Sequence, residues 1–187
     1  MKNLILFIGL CLFVNCKAQQ ILPLEKLVEY RRIGEGAPEG TTYIKDVNNL
    51  LDKYVGTWKG IYGDKSFEIT FVKHVDHFLI DEDQLLMRYK ITSNGVVIED
   101  TTTFPDNHSL IVHGNYLDKN TYILSYYGRD SKCGQAGDIY IYLAYKNDFS
   151  KLKLFLIPDQ EFINPNECPN GIANQVFPKD AMILTKQ

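Results

Sequence analysis

From Gly56 onward, apolar and polar residues alternate with a period of two. Phe67, Ile69 and Phe71 alternate with Ser66, Glu68 and Thr70, and Leu85, Met87, Tyr89 and Ile91 alternate with Leu86, Arg88 and Lys90. Successive side chains of a strand point to opposite faces, so this spacing predicts strands with one buried face. Asn94-Gly95 separates the second run from Val96 to Thr103 and is a strong two-residue hairpin signal. Further strands are predicted at Ser109 to Tyr116, Thr121 to Tyr127, Ile139 to Tyr145, Leu152 to Ile157 and Ala181 to Thr185. Asp118-Lys119-Asn120 and Lys146-Asn147-Asp148 supply turns, and Gly60 to Lys65 reads as another. About nine short strands with no helical segments between them predict an all-β, antiparallel up-and-down meander, closed as a barrel or splayed as a sandwich. Closure would remove the exposed edges that so many strands create.

Ahead of this region the period changes. Val47, Leu50, Leu51 and Tyr54 follow the i, i+3, i+4, i+7 spacing of a helical face, which predicts a short helix over Asp46 to Tyr54 covering one barrel end. Residues 19–43 are polar, with Gly34, Gly36, Pro38 and Gly40 close together, and read as a flexible leader with a helical turn at Leu24 to Tyr30. The first 18 residues read as a signal peptide: Lys2 starts it, and Leu4 to Val14 forms an apolar core too short for a membrane span of roughly 20 residues. Two processing readings stay open. Cys16-Lys17-Ala18 places small residues at the recognition positions of ordinary cleavage, with Gln19 as the new terminus. Phe13-Val14-Asn15-Cys16 alternatively reads as a loose lipobox with Cys16 lipidated, which would anchor the protein to a membrane. The expected location is thus periplasmic or secreted, or lipid-anchored, and the expected barrel domain spans 44–187.

Composition adds three points. A 12% aromatic share, with 12 Tyr and 10 Phe against one Trp, favours strands. The formal charge is −3, and losing Lys2 and Lys17 with the signal makes the remainder more acidic, which argues against nucleic acid as a partner. Cys133 and Cys168 remain beyond the signal, and two cysteines outside the cytosol most economically form a disulfide. That bridge would tie the connection Pro158 to Asp180, rich in Pro and Gly, to the loop Gly128 to Gly137 at one end of the domain.

The residues Tyr54-Val55-Gly56-Thr57-Trp58-Lys59-Gly60 resemble the opening strand of the lipocalin and fatty-acid-binding superfamily. There a G-x-W element begins the first strand and the Trp closes one barrel end; the resemblance implies structural roles for Gly56 and Trp58. Tyr43 to Asp52 running into Gly56-Thr57-Trp58, with Asn15-Cys16-Lys17-Ala18-Gln19 at the signal end, resembles an uncharacterised group of exported Bacteroidota proteins that brings no known activity. Lipocalins usually place an Arg on the last strand over the Trp. Ala181 to Thr185 has none, and only Lys186 could substitute.

Chemistry is sparse. His74, His77, Asp81, Glu82 and Asp83 lie close in sequence, but three-residue spacing in a strand sends the two histidines to opposite faces, so a solvated acidic loop is expected rather than zinc. No nucleophile motif is present, and Glu68, Glu99 and Asp100 are spread over different strands. Neither catalysis, a metal nor a cofactor is expected. The tyrosines are more informative: Tyr122 and Tyr126 share one strand face, and Tyr140 and Tyr142 share another. Such faces suit either a cavity wall with orienting hydroxyls or a half-exposed outer surface. The expected function is non-enzymatic binding of a small apolar or amphipathic molecule inside the barrel. The alternative is a protein-interaction or inhibitor module acting through loops 128–137 and 158–179.

Overall fold

The computed structural model describes residues 20–159 and 163–187; the predicted signal peptide, including Cys16, lies outside the described residues. The chain forms β1 (Gln20–Pro23), a 3₁₀ turn (Leu24–Lys26), α1 (Leu27–Arg31), β2 (Thr41–Lys45), β3 (Gly56–Tyr62), β4 (Lys65–Asp76), β5 (Asp81–Ser93), β6 (Val96–Asp100), β7 (Val112–Asp118), β8 (Thr121–Tyr127), β9 (Ala136–Leu143), β10 (Lys151–Pro158) and β11 (Met182–Lys186). Eight of these strands, β3 to β5 and β7 to β11, form a closed antiparallel barrel in meander order. Two pairings close it: β5 meets β7 at Leu86↔His113 and Met87↔Val112, and β11 meets β3 at Thr185↔Lys59 and Lys186↔Trp58. β6 pairs with the far part of β5 and lies off the ring.

The period-two pattern decides which side chains face inward. Phe67, Ile69 and Phe71 of β4, Leu85, Met87, Tyr89 and Ile91 of β5, and Leu152, Leu154 and Leu156 of β10 are all buried in one core. The hairpin turns use the local chemistry their shape demands. Asn94 and Gly95 take φ of 49° and 81°, the left-handed pair that matches the twist of the flanking strands. Gly137 is required for a different reason: a Cβ there would meet the Ile157 carbonyl and the Pro158 backbone of the neighbouring strand.

At the base of the barrel the Trp58 indole N–H donates to the Tyr54 carbonyl at 2.7 Å. The Lys186 Nζ sits 5.2 Å from the Trp58 ring, so a lysine covers this ring where an arginine was absent. Tyr54 packs on Tyr122 with ring centroids 6.1 Å apart and donates its hydroxyl to the Asn120 carbonyl at 2.8 Å.

Two expectations about the N-terminal part are corrected. Residues 46–54 are a succession of turns, not a helix. The Asp46 carboxylate accepts from the Leu50 and Leu51 N–H groups at 2.6 and 3.0 Å, and Asn49 adopts a positive φ of 53°. A left-handed residue breaks the α-helical ladder, while turns still bury Leu51 and Tyr54 as their three-residue spacing requires. The short helix that precedes the barrel is α1 instead. Residues 19–43 read as a flexible leader with a helical turn at Leu24 to Tyr30; the described part of that stretch instead folds onto the barrel as β1, α1 and the first residues of β2. Leu24, Leu27 and Val28 are buried, and β2 runs parallel to β5 at Tyr43↔Asp81 and Ile44↔Glu82. The Gly and Pro cluster at 34–40 is the connector between α1 and β2.

Candidate functional site

The end of the barrel opposite Trp58 carries the loops. Residues 128–135 leave β8, make a 3₁₀ turn at Ser131–Cys133 and re-enter as β9. The connection from β10 to β11 crosses the same mouth without regular structure in its described residues. Cys133 and Cys168 are disulfide-bonded, with Cα atoms 5.6 Å apart. Polar contacts extend this join: the Ala173 N–H donates to the Cys133 carbonyl at 2.8 Å, Gln135 Nε2 to the Asn174 carbonyl at 2.8 Å, and Gln175 Nε2 to the Gly134 carbonyl at 2.6 Å. Irregular backbone thus finds partners that a strand ladder would otherwise supply.

From this connection Phe177 turns into the barrel. It is 2% exposed, and its ring lies 4.9 Å from Tyr89, 5.1 Å from Tyr126 and 6.1 Å from Phe67, edge-on to both tyrosines. Beside it the Tyr89 hydroxyl donates to Glu99 at 3.1 Å, and Arg129 approaches the same carboxylate oxygen at 3.5 Å. The Tyr126 hydroxyl is buried without a partner. Burial holds both phenols protonated, well above the ordinary tyrosine range. Outside this plug lies an open cleft of about 1060 Å³ lined by Lys65, Pro158, Ile163, Ile172, Phe177 and Lys179. It joins an apolar floor to two cations, and neither lysine belongs to a salt bridge among the described residues.

The four tyrosines singled out by sequence are not brought together. Tyr122 and Tyr126 point inward and are fully buried, and the Leu85 N–H donates to the Tyr122 hydroxyl at 3.1 Å. Tyr140 and Tyr142 face outward on β9 and pack against Phe155 of β10, with centroids at 5.1 and 6.4 Å. The acids are separated as well: Glu68 pairs with Lys59 at 2.8 Å, Asp100 caps Thr102, and Glu99 serves Tyr89. His77 meets Asp81 at 2.7 Å, and His74 approaches Asp106, which is held by Arg88. Among the described residues no group of three or more His, Cys, Asp or Glu side chains could hold a metal ion. Sequence reasoning missed Phe177, Lys65 and Lys179. The one local hint was a large aromatic stranded in a Pro-rich connection.

Comparison with known proteins places this architecture. The model of a family of unknown function, DUF6705, matches residues 1–187. The chain belongs to that family. The DUF6705 match spans the N-terminal cover, the barrel and the disulfide-tied loops alike. No curated protein and no solved structure shows significant similarity to the chain. Among the described residues no helix is long and apolar enough to cross a membrane, and the disulfide is compatible with an oxidising compartment.

Proposed function

We propose that this DUF6705 protein is an exported, non-enzymatic binding protein with a lipocalin-like barrel as scaffold, whose ligand site is the cleft at the disulfide-tied mouth. The observation that carries the reading is that cleft: an apolar floor of Phe177, Ile163 and Ile172 beside Lys65 and Lys179. Binding sites combine an apolar wall with a few orienting polar groups, and loops fixed on a rigid scaffold supply them. The chemistry fits a small amphipathic molecule, with its apolar body on Ile163 and Ile172 above the Phe177 plug and an acidic group toward the lysines. The barrel interior is less suited, because Trp58, Phe67, Phe71, Leu85 and Tyr122 already occupy it.

Native mass spectrometry of the protein purified from its own host, followed by organic extraction, tests this. The expected result is a co-purifying acid at one-to-one stoichiometry whose occupancy falls about tenfold in Lys65→Gln/Lys179→Gln, an ion-pair loss of ordinary size. An extracted ligand whose occupancy ignores both lysines would overturn the assignment. A second reading is favoured by the unpartnered Tyr126 hydroxyl behind Phe177: a ligand that displaces Phe177 would enter the barrel and meet that hydroxyl. Occupancy that rises in Phe177→Ala and falls in Tyr126→Phe distinguishes it.

A further inference from the structure

The base of the barrel carries an exposed apolar tip. Phe78 and Leu79, in the turn between β4 and β5, are 84% and 85% exposed, more than any other large apolar side chain among the described residues. These two strands are the longest, at 12 and 13 residues, and their paired ends at Asp76↔Glu82 carry the turn beyond the rest of the base. The loop 144–150 at the same end adds Tyr145 and Phe149, each 55% exposed. Scattered apolar side chains on a surface are ordinary; a paired Phe-Leu tip with an aromatic flank marks an interaction surface.

The register fixes where the chain enters this fold. β2 is parallel to β5 with Tyr43 opposite Asp81, so Thr41 lies level with Leu79. β1 is parallel to β2 with Gln20 opposite Thr41. Gln20 therefore stands at the level of the Phe78-Leu79 tip, on the side of the barrel away from the ligand cleft. The sequence immediately before it holds Cys16 and the apolar run Leu4 to Val14. Four residues span at most about 14 Å, so whatever holds Cys16 holds the tip at a similar height.

We infer that the base of the barrel rests on a phospholipid bilayer, with Phe78 and Leu79 entering its interface and the loop-bearing mouth directed away from it. Tyr145 and Phe149 suit the same layer, where amphipathic rings settle at headgroup depth. The charges around the tip select the lipid. Asp76, Asp81 and Glu82 surround it against the single cation Arg31 of the adjoining groove, and His77 is committed to Asp81; this excess of acids favours a zwitterionic surface over an anionic one. The inference does not depend on the ligand cleft, and its test leaves that cleft untouched.

The test uses the full chain, expressed with its own N-terminal segment and purified as processed, added to phosphatidylcholine vesicles with a spin label high on the acyl chain. Phe78→Trp should give a new emission that shifts to the blue and is quenched by the label. Ile61→Trp, at the exposed mouth end of β3, should give an emission that is not quenched. In a Cys16→Ala background, which removes any acyl tether, Phe78→Ser/Leu79→Ser should lower vesicle partitioning about tenfold or more, as expected for two lost apolar insertions. Equal quenching at positions 61 and 78, or none at 78, would overturn the inference. So would a blue shift at 78 that needs no lipid and grows with protein concentration, since the tip would then be covered by a second copy.

Discussion

Phe177→Ala should cost about 4 kcal/mol of stability, and that cost should depend on a bond that Phe177 never touches. A buried Phe removes roughly 200 Å² from water, about 5 kcal/mol at 25 cal/mol per Å². Phe-to-Ala changes in cores typically cost 3–5 kcal/mol. Phe177 is 2% exposed and packs on three rings, but its backbone is a loop free to settle inward, which places it mid-range. The Cys133–Cys168 bond spans 35 residues, and closing a loop of that size restricts the unfolded chain by about 4 kcal/mol in the chain-entropy model. Both changes loosen the same connection. Once the bond is gone, part of the cost of seating Phe177 returns as loop ordering, so the double variant should cost about 1–2 kcal/mol less than the two separate losses. The assay is urea unfolding followed by Trp58 fluorescence for wild type, Phe177→Ala, Cys133→Ser/Cys168→Ser and the combination, with m held common. Phe177→Leu, which keeps most of the apolar volume, should cost only about 1 kcal/mol. A loss below about 1 kcal/mol for Phe177→Ala, or full additivity with the disulfide variant, would refute the picture of a tethered plug.

Asp46→Ala removes the acceptor of the Leu50 and Leu51 N–H groups and a partner of Lys73, and should lower stability by about 2–3 kcal/mol in the same unfolding assay, with Asp46→Asn costing less. Trp58→Phe should cost about 2 kcal/mol, since it abandons the Tyr54 carbonyl and weakens the contact with Lys186; Lys186→Met in that background should then be nearly silent. Glu82 lies in the groove between α1 and the β4–β5 turn, where burial, opposed by Arg31 and aided by Asp76, pushes its carboxyl up from 4.5 to about 7. The folded protein holds a proton there that the unfolded chain releases, so stability falls as pH rises from 4.5 to about 7 and Glu82 has no such effect below 4.5. Glu82→Gln should therefore match wild type at pH 4 and exceed it at pH 8 by on the order of 2 kcal/mol in urea midpoints; equal midpoints at pH 8 would discount the shift.

The barrel was legible because side-chain period and buried face coincide along β4, β10 and the second half of β5, while Leu86 of β5 and Ile123 of β8 are buried on the opposite face as well. The N-terminal cover was not, for opposite reasons at its two ends. At 46–54 only part of the predicted face is buried, Leu51 and Tyr54 but not Val47, because the Asp46 carboxylate and a left-handed Asn49 set turns in place of a helix. At 19–43 a cluster of glycines around position 36 suggested a loose leader, although the helical turn read at Leu24 to Tyr30 carries the buried Leu24, Leu27 and Val28. The disulfide was legible by counting, but the cleft was not. Lys65 sits in a hairpin and Lys179 in a loop, with no local pattern to join them, and Phe177 reads as a lone aromatic in a loop. Only closure of the barrel brings them to one end. The outward Tyr140 and Tyr142 could not be told from inward ones, because both faces of β9 are amphipathic.

The pairing of β3 with β11 also has a consequence in time. The first strand of the ring finds its neighbour in residues 182–186, so a chain delivered N-terminus first, from a ribosome or through a pore, presents β3 long before its partner arrives. Until then β3 and β10 each keep an open edge, Trp58 lacks the lysine above it, and the loop that carries Phe177 has no strand to return to. Contacts this distant in sequence form late and together. The ring therefore completes only once residues 182–186 are free to pair, and no closed ring exists before then.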